Sequence, residues 1–411
     1  MFRAVRPVLL LLAVAIPAVV LRLLGTHPPA LASIVVFGIA VVAASFVLAW
    51  AAEAAEMDIA GGLAIAVLAV IAVLPEYAVD LYFAHTAGSN PEYVQYAAAN
   101  MTGSNRLLLG LGWSSVALIS LYVASRRSGR TVRALVLDSG YRRELGFLAV
   151  AGVVAFVIPV TGEIHLLLGI ALLAFFAFYL YRAATGGHGD EPDLIGPAAT
   201  IGALPKVARR ITVTAMFVAA AGVILAAAEP FADSLVEGGH ALGIDQFLLV
   251  QWLAPLASEA PEFIVALLFA WRGKGAAALG LLISAKVNQW TLLIGSLPIA
   301  YGLGGGGAAL HLDGRQIEEF LLTATQTLLG LAILLNLRFP RWAAWTLLGL
   351  FAVQFAVPGQ TGRYVISAIY LALAIGAAIH NRKQLIPTIT APFRRTTAKP
   401  AADRADELIK V

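Results

Sequence analysis

Long apolar runs separated by short polar breaks recur from one end of this 411-residue chain to the other. The runs fall at about 7–24, 31–55, 59–86, 92–124, 144–160, 163–183, 208–237, 245–270, 275–301, 316–337, 341–357 and 363–381. Most are near the ~20 residues that a helix needs to cross a hydrocarbon core of about 30 Å. The pattern predicts an all-α membrane protein of about 12 transmembrane helices, with the fourth run long enough to be two segments. The first run follows Arg3 and Arg6, as the core of a secretory leader would. It ends in Leu21-Arg22-Leu23-Leu24-Gly25 without a small-residue cleavage pattern and is read as a retained helix.

The polar breaks are not equivalent. If the twelve spans alternate in direction, one side receives the N-terminus, the arginine-rich breaks 125–143 and 182–210, the turns with Arg272 and Lys274 and with Arg338 and Arg341, and the tail after His380. That side holds 23 of the 28 basic residues, whereas the other shows only Arg22, Arg315 and Arg363. Cytoplasmic loops carry such an excess, so both termini are expected in the cytoplasm, with the plasma (inner) membrane as the expected location. The segment 186–197 is polar and glycine-rich and reads as a linker between halves, with His188 exposed on it.

Composition agrees with the pattern. Apolar residues make up 60% and charged residues 13% of the chain, and mean hydropathy is +0.84, so a lipid bilayer is the implied partner. A net charge of +4 needs no nucleic acid to explain it, and the absence of cysteine excludes disulfides and thiol chemistry. No Walker A or His-Glu-x-x-His pattern occurs, so neither ATP-driven transport nor an intramembrane metalloprotease is expected. No cofactor is implied, and the oligomeric state stays open.

An internal repeat supplies the functional signal. Pro75-Glu76, with Asp80 one turn beyond, lies deep in the third span, and Ser258-Glu259-Ala260-Pro261-Glu262 lies deep in the eighth. Each span follows a helix ending in acids, Glu53 and Glu56 in one case and Asp233 and Glu237 in the other. Five spans per repeat is an odd number, so the second repeat enters the membrane from the opposite side. The units are residues 1–30 (an extra helix), 31–183, a cytoplasmic linker 184–207, an inverted 208–357, an extra helix 358–381, and a basic tail 382–411. Inverted repeats with broken helices at the midplane are a transporter architecture.

A carboxylate at that depth costs at least ~2.5–3.5 kcal/mol, so it persists when paired, hydrated or useful. Pro75 and Pro261 lack the N–H that would continue their helices, and so should free main-chain oxygens beside the glutamates. Carboxylates and carbonyls form the hard-oxygen coordination that Ca²⁺ takes, and Na⁺ can use the same ligands. The alternative is a structural pairing of Glu76 and Glu262 with hydroxyls or with Arg106 and Lys286, which leaves the repetition unexplained. On the following helices, Asn100 with Ser104 and Ser284 with Asn288 stand at i, i+4 spacing, either as further oxygen ligands or as interhelical glue.

These residues resemble the cation/calcium antiporter superfamily that includes the sodium/calcium exchangers. Its two inverted repeats carry Gly-Thr-Ser-x-Pro-Glu and then Gly-Asn-x-x-Gly-Ser-Asn. This chain keeps Pro75-Glu76 and Asn100-x-x-Gly103-Ser104-Asn105 in the first repeat, and Ser258-x-x-Pro261-Glu262 in the second. The likeness covers roughly 30–125 and 210–305. It implies a secondary antiporter exchanging Ca²⁺ or another cation for H⁺ or Na⁺ by alternating access, with Glu76 and Glu262 as central ligands and Asn100 as an auxiliary one. An exchanger-fold channel or a non-transporting receptor is the alternative.

The departures from the pattern are specific. Ala72 and Val73 replace the first Thr-Ser, Glu259 replaces the second Ser, Asp80 is an added acid, and Lys286 stands at the last Asn of the second motif. Four acids and one lysine in one cavity cannot all stay charged without a cation. Lys286 is therefore expected to pair with Glu76 or Asp80 when no ion is bound. It would then either replace a transported Na⁺ or lose its proton as the cation enters. Arg106 is expected to partner the membrane carboxylates.

Overall fold

A computed structural model describes residues 2–26, 28–58, 73–185, 194–357 and 359–394. Ala72, the N-terminal part of the third predicted span, His188 with most of the linker, and the end of the tail lie outside the described residues. In chain order the helices are α1 (Phe2–Leu24), α2 (Ala30–Ala55), α3 (Leu74–Ser89), α4 (Val94–Leu107), α5 (Ser114–Ser128), α6 (Arg142–Val154), α7 (Val157–Thr161), α8 (Leu166–Ala184) and α9 (Gly196–Gly202). The second half continues with α10 (Lys206–Leu242), α11 (Gln246–Ser258), α12 (Ala260–Trp271), α13 (Gly275–Asn288), α14 (Ile294–Leu303), α15 (Gly314–Leu334), α16 (Arg341–Ala356), α17 (Gly359–His380) and α18 (Arg382–Thr390). Among the described residues nine helices are long and apolar enough to cross a membrane, and the bent pair α11–α12 makes a tenth. The other two predicted spans correspond to α3, before which residues 59–72 are not described, and to α16, of 16 residues.

The fourth span is one continuous rod. A π-helical turn at Leu108–Trp113 joins α4 to α5, and another at Gln289–Leu293 joins α13 to α14, so both repeats bulge at the same place. Each π turn takes in an extra residue and re-aims the side chains around it, a device found at functional sites. The linker and the tail carry the short helices α9 and α18.

Packing follows the inverted plan. The opening helices of the two repeats, α2 and α10, lie against each other. The contact of α3 with α14 is matched by that of α12 with α5, α14 with α8 by α5 with α16, and α15 with α4 by α6 with α13. Two antiparallel ribbons close opposite ends: β1 (Ala134–Val136) with β4 (Arg338–Pro340), and β2 (Glu163–His165) with β3 (Ala309–His311). The ribbons exchange places under the same inversion. Outside this plan α1 packs on α2 and α10, and α17 on α15.

Side chains such as Leu24, Val160 and Leu303 face outward, as lipid permits, so apolarity does not separate inside from outside. Buried polar groups do. They concentrate on α4 (Asn100, Thr102, Ser104, Asn105, Arg106), around the second π turn (Lys286, Asn288, Gln289, Thr291) and on α15 (Glu318, Glu319, Thr323, Gln326). Gly103 lets α4 approach α11 closely, because a Cβ there would stand 1.8 Å from the Gln251 carbonyl oxygen on α11.

Candidate ion-binding site

Both Pro-Glu pairs sit at helix starts. Pro75 and Pro261 are in the first turns of α3 and α12, where a missing N–H costs little. In the second repeat the chain bends by 58° between α11 and α12, around Glu259. Pro261 brings no N–H for the Ala257 carbonyl, which makes the break a local consequence of the sequence. Glu76 and Glu262 thereby lie in the first turns of their helices, where the dipole favours an anion.

The starts of α3 and α12 face one cavity of about 40 Å³ lined by Pro75, Glu76, Ser258, Glu259, Pro261 and Glu262, with Ser45 of α2 also in the wall. Ser104 of α4 joins the repeats. Its hydroxyl lies 2.6 Å from Glu76 Oε1 and also contacts Glu259 Oε1. Gln289, at the start of the second π turn, donates its Nε2 to Glu76 Oε1 (3.1 Å), Ser104 Oγ (2.7 Å) and Glu259 Oε1 (2.7 Å). Glu262 lines the cavity with no hydrogen bond among the described residues. Among the described residues, Glu259 Oε2, Gln289 Oε1 and Asn105 Oδ1 are buried without hydrogen-bond partners, and the Asp80 carboxyl group and Asn100 amide are buried beside each other. Unsatisfied oxygens at this density are costly in the folded chain and suit protons or a hard cation. Among the described residues no three acids or histidines converge as a metal-gripping cluster, so a cation held here would also draw on hydroxyl, amide and main-chain oxygens.

The remaining predicted residues separate. Asp80 is fully buried beside the Asn100 amide, one turn below Glu76. Asn288 accepts from Tyr77 Oη at 2.8 Å, next to Glu76, whereas Ser284 meets Tyr179 of α8 at 2.7 Å, on the side of α13 away from this cavity. Asn105 donates back to the Met101 carbonyl at 3.1 Å. Lys286 does not pair with Glu76 or Asp80. Its Nζ donates to the Asn105 carbonyl at 2.6 Å and lies 5.9 Å from the Trp290 ring, because the register of α13 carries it toward α4.

Arg106 partners a membrane carboxylate, as expected, but one away from the glutamate cavity. Its guanidinium pairs with Glu319 of α15 at 2.6 Å, and it reaches Gln354 at 3.1 Å and the Trp252 face at 5.2 Å. Arg363 of α17 binds the other Glu319 oxygen at 2.8 Å. Two guanidiniums thus share one carboxylate, apart from the glutamate cavity, because Arg106 follows Ser104 by two positions and projects from a different face of α4. Glu318, Gln354 and Arg363 line a separate cavity of about 780 Å³. The sequence reading passed over Gln289, Glu319 and Ser45. An amide and a paired acid inside otherwise apolar spans were the available signals for the first two.

Inverted repeats, each presenting a Pro-Glu pair at a helix start, and an acid-lined cavity between them define a membrane transporter fold. A family model described as sodium/calcium exchanger protein matches residues 29–184 and 212–358, and this chain belongs to that family of membrane cation antiporters. Among solved structures it is similar to one described as the H⁺/Ca²⁺ exchanger CAX, at 41% identity and a TM-score of 0.89, over 95% of this chain and 98% of that one. It shares its fold with YfkE (18% identity, TM-score 0.61, 89% of this chain and 99% of that one). It shares it also with the sodium-calcium exchanger NCX_Mj (19% identity, TM-score 0.52, 80% and 99%). Comparison with curated proteins returned no match.

Proposed function

We propose that this chain exchanges Ca²⁺ for H⁺, with the cargo cation held by Glu76 and Glu262 and the proton by the same carboxyl cluster. The observation that carries the reading is the meeting of Glu76 and Glu259, one from each repeat, on a single hydroxyl. Ser104 has one proton to donate and Gln289 already donates to it, so two carboxyl groups around that oxygen are best satisfied when one carries a proton of its own. Three ionised carboxylates around about 40 Å³ repel one another unless protons or a cation are present. Protons and a divalent cation therefore compete for the same oxygens, which is the requirement for exchange. The 41% identical relative described as an H⁺/Ca²⁺ exchanger supports the same pairing of ions.

Ser258, Asp80 and Asn100 are auxiliary oxygens in this scheme, and Lys286, whose ammonium meets the Asn105 carbonyl, either stands in for a transported cation or loses its proton as the cation enters. The two repeats, 31–183 and 208–357, move relative to each other to alternate access. The basic end of the molecule faces the cytoplasm.

Labelled Ca²⁺ uptake into proteoliposomes tests the exchange, with pH and Na⁺ gradients imposed separately and the Glu262→Gln protein as blank. Uphill uptake driven by the pH gradient is expected. Uptake that follows the Na⁺ gradient alone would overturn the proton reading, and flux that runs only downhill would make the chain a channel. Replacing Lys286 by Asn should remove pH dependence or introduce Na⁺ dependence; unchanged selectivity and pH profile would make the lysine structural. A cysteine at the exposed Ser128 should resist impermeant thiol reagents added outside intact cells, and labelling there would reverse the orientation.

A further inference from the structure

The two ends closed by the ribbons differ in chemistry. Ribbon β2–β3 contains Glu163 and is flanked by glycines 304–307 and Asp313, whereas ribbon β1–β4 contains Arg338 and is flanked by Arg130, Arg133 and Arg341. At the basic end, α5 and α16 enclose an open pocket of about 540 Å³ lined by Tyr122, Arg126, Arg130, Thr131, Arg341 and Trp345. No carboxylate lines it, and among the described residues none of its three arginines is in an ion pair.

Its walls are built in advance. Gly129, at φ 66°, ends α5 in the left-handed conformation and starts the turn that brings Arg130 and Thr131 to the rim. Arg341 is held by Ser125 Oγ at 3.2 Å and the Val132 carbonyl at 3.1 Å, while Arg126 lies 5.4 Å from the Tyr122 ring. Tyr122 and Trp345 are 48% and 58% exposed, and Trp271 stands 6.3 Å from Tyr122. Aromatic side chains of this kind mark the headgroup level of a bilayer. Leu118, one turn deeper on α5, continues the wall toward the hydrocarbon. The contact of α14 with α8 is the inverted image of α5 with α16, and its corresponding end, at the start of α8, carries no arginine; Arg182 lies at the other end of α8. The pocket is therefore no by-product of the repeat.

We propose that this pocket binds the phosphate of an anionic phospholipid, with the three guanidiniums on the headgroup and an acyl chain running along Leu118 and Trp345. Guanidinium pairs match phosphate oxygens, and basic pockets between membrane helices favour anionic headgroups. The site lies at the far end of α5 from the glutamate cavity, and its occupation is independent of which ions are exchanged.

The test is native mass spectrometry of the purified full chain with phosphatidylglycerol and phosphatidylcholine offered together. The chain should retain phosphatidylglycerol with a preference of about tenfold or more. The Arg126→Gln/Arg130→Gln protein should lose that preference. Neither side chain bonds to the backbone, so the fold survives, as thermal unfolding would verify. An Arg133→Gln/Arg338→Gln protein removes the same charge outside the pocket and should keep the preference. Equal retention of both lipids, or equal loss in the two double variants, would overturn the proposal. Displacement of the lipid by millimolar inorganic phosphate would assign the pocket to a free anion instead and would equally overturn it.

Discussion

The two Pro-Glu segments are images of each other in sequence and unlike each other in their bonding. The inversion pairs Glu76 with Glu262, yet the hydrogen bonds tie Glu76 to Glu259 through Ser104 and Gln289 and give Glu262 none among the described residues. Glu259 stands where the family pattern has a serine, and Gln289 sits in a π turn whose counterpart in the first repeat, Leu108–Trp113, holds no amide. The repeat supplies two similar helix starts at Pro-Glu pairs, and the substitutions around them make one carboxylate pair that is bridged and one carboxylate that is open. A symmetric scaffold thereby acquires an asymmetric site.

The sharpest way to break this comparison is to neutralise the three glutamates one at a time. Replacing Glu76 or Glu262 by Gln keeps shape and removes a cation ligand, and Ca²⁺ flux should fall by about a hundredfold or more, as expected where a charged partner is lost. Replacing Glu259 by Gln should cost less, because an amide can still bond to Ser104. Vesicle flux that is mild for Glu262→Gln and abolished for Glu259→Gln would move the cargo from the open carboxylate to the bridged pair.

A stability effect should separate the site from the second polar network. Replacing Glu319 by Gln leaves the fully buried Arg106 without its carboxylate and should destabilise the protein by roughly 3–5 kcal/mol. Thermal unfolding in detergent would read this, and the fraction that stays folded should still transport Ca²⁺. Loss of flux without loss of stability would join this network to the ion site.

Gln289 tests the bridge itself. Replacing it by Leu strips a donor from Glu76, Ser104 and Glu259, and should weaken the apparent Ca²⁺ affinity by about tenfold, since each lost donor leaves a buried acceptor unsatisfied. An unchanged affinity would show that the bridge does not contribute to cargo binding.

The smallest effect lies outside the membrane. Arg209 donates to both oxygens of Asp58, at 2.6 and 3.0 Å, and holds its carboxyl below the ordinary carboxylate range. A depressed value means that the contribution is present above the unfolded carboxylate value of ~3.9 and is lost as pH falls below it. Asp58→Asn should lower stability by about 1 kcal/mol at neutral pH. The gap between the two proteins should close as the pH is taken below about 4. A gap that persists in acid would assign the loss to packing between α2 and α10.

Each end of the comparison was legible to a different degree. The spans, the basic asymmetry, the inverted plan and the two Pro-Glu helix starts depend on local quantities, namely hydropathy over about 20 residues and the missing N–H of a single residue. Pro75-Glu76 and Pro261-Glu262 could therefore be placed before any coordinates. The partners could not. Ser104 meets Glu259 across 155 residues, Gln289 meets Glu76 across 213, and Arg106 meets Gln354 across 248. Which face of α4 or α13 looks at which neighbour is decided by helix rotation, and the π turns alter that rotation at the positions that matter. Helical spacing alone put Ser284 beside the glutamates and aimed Lys286 and Arg106 at them. The folded protein turns Ser284 to Tyr179, Lys286 to the Asn105 carbonyl and Arg106 to Glu319. The chemistry of a buried polar group is written in its residue type, but its partner is chosen only when the helices have packed.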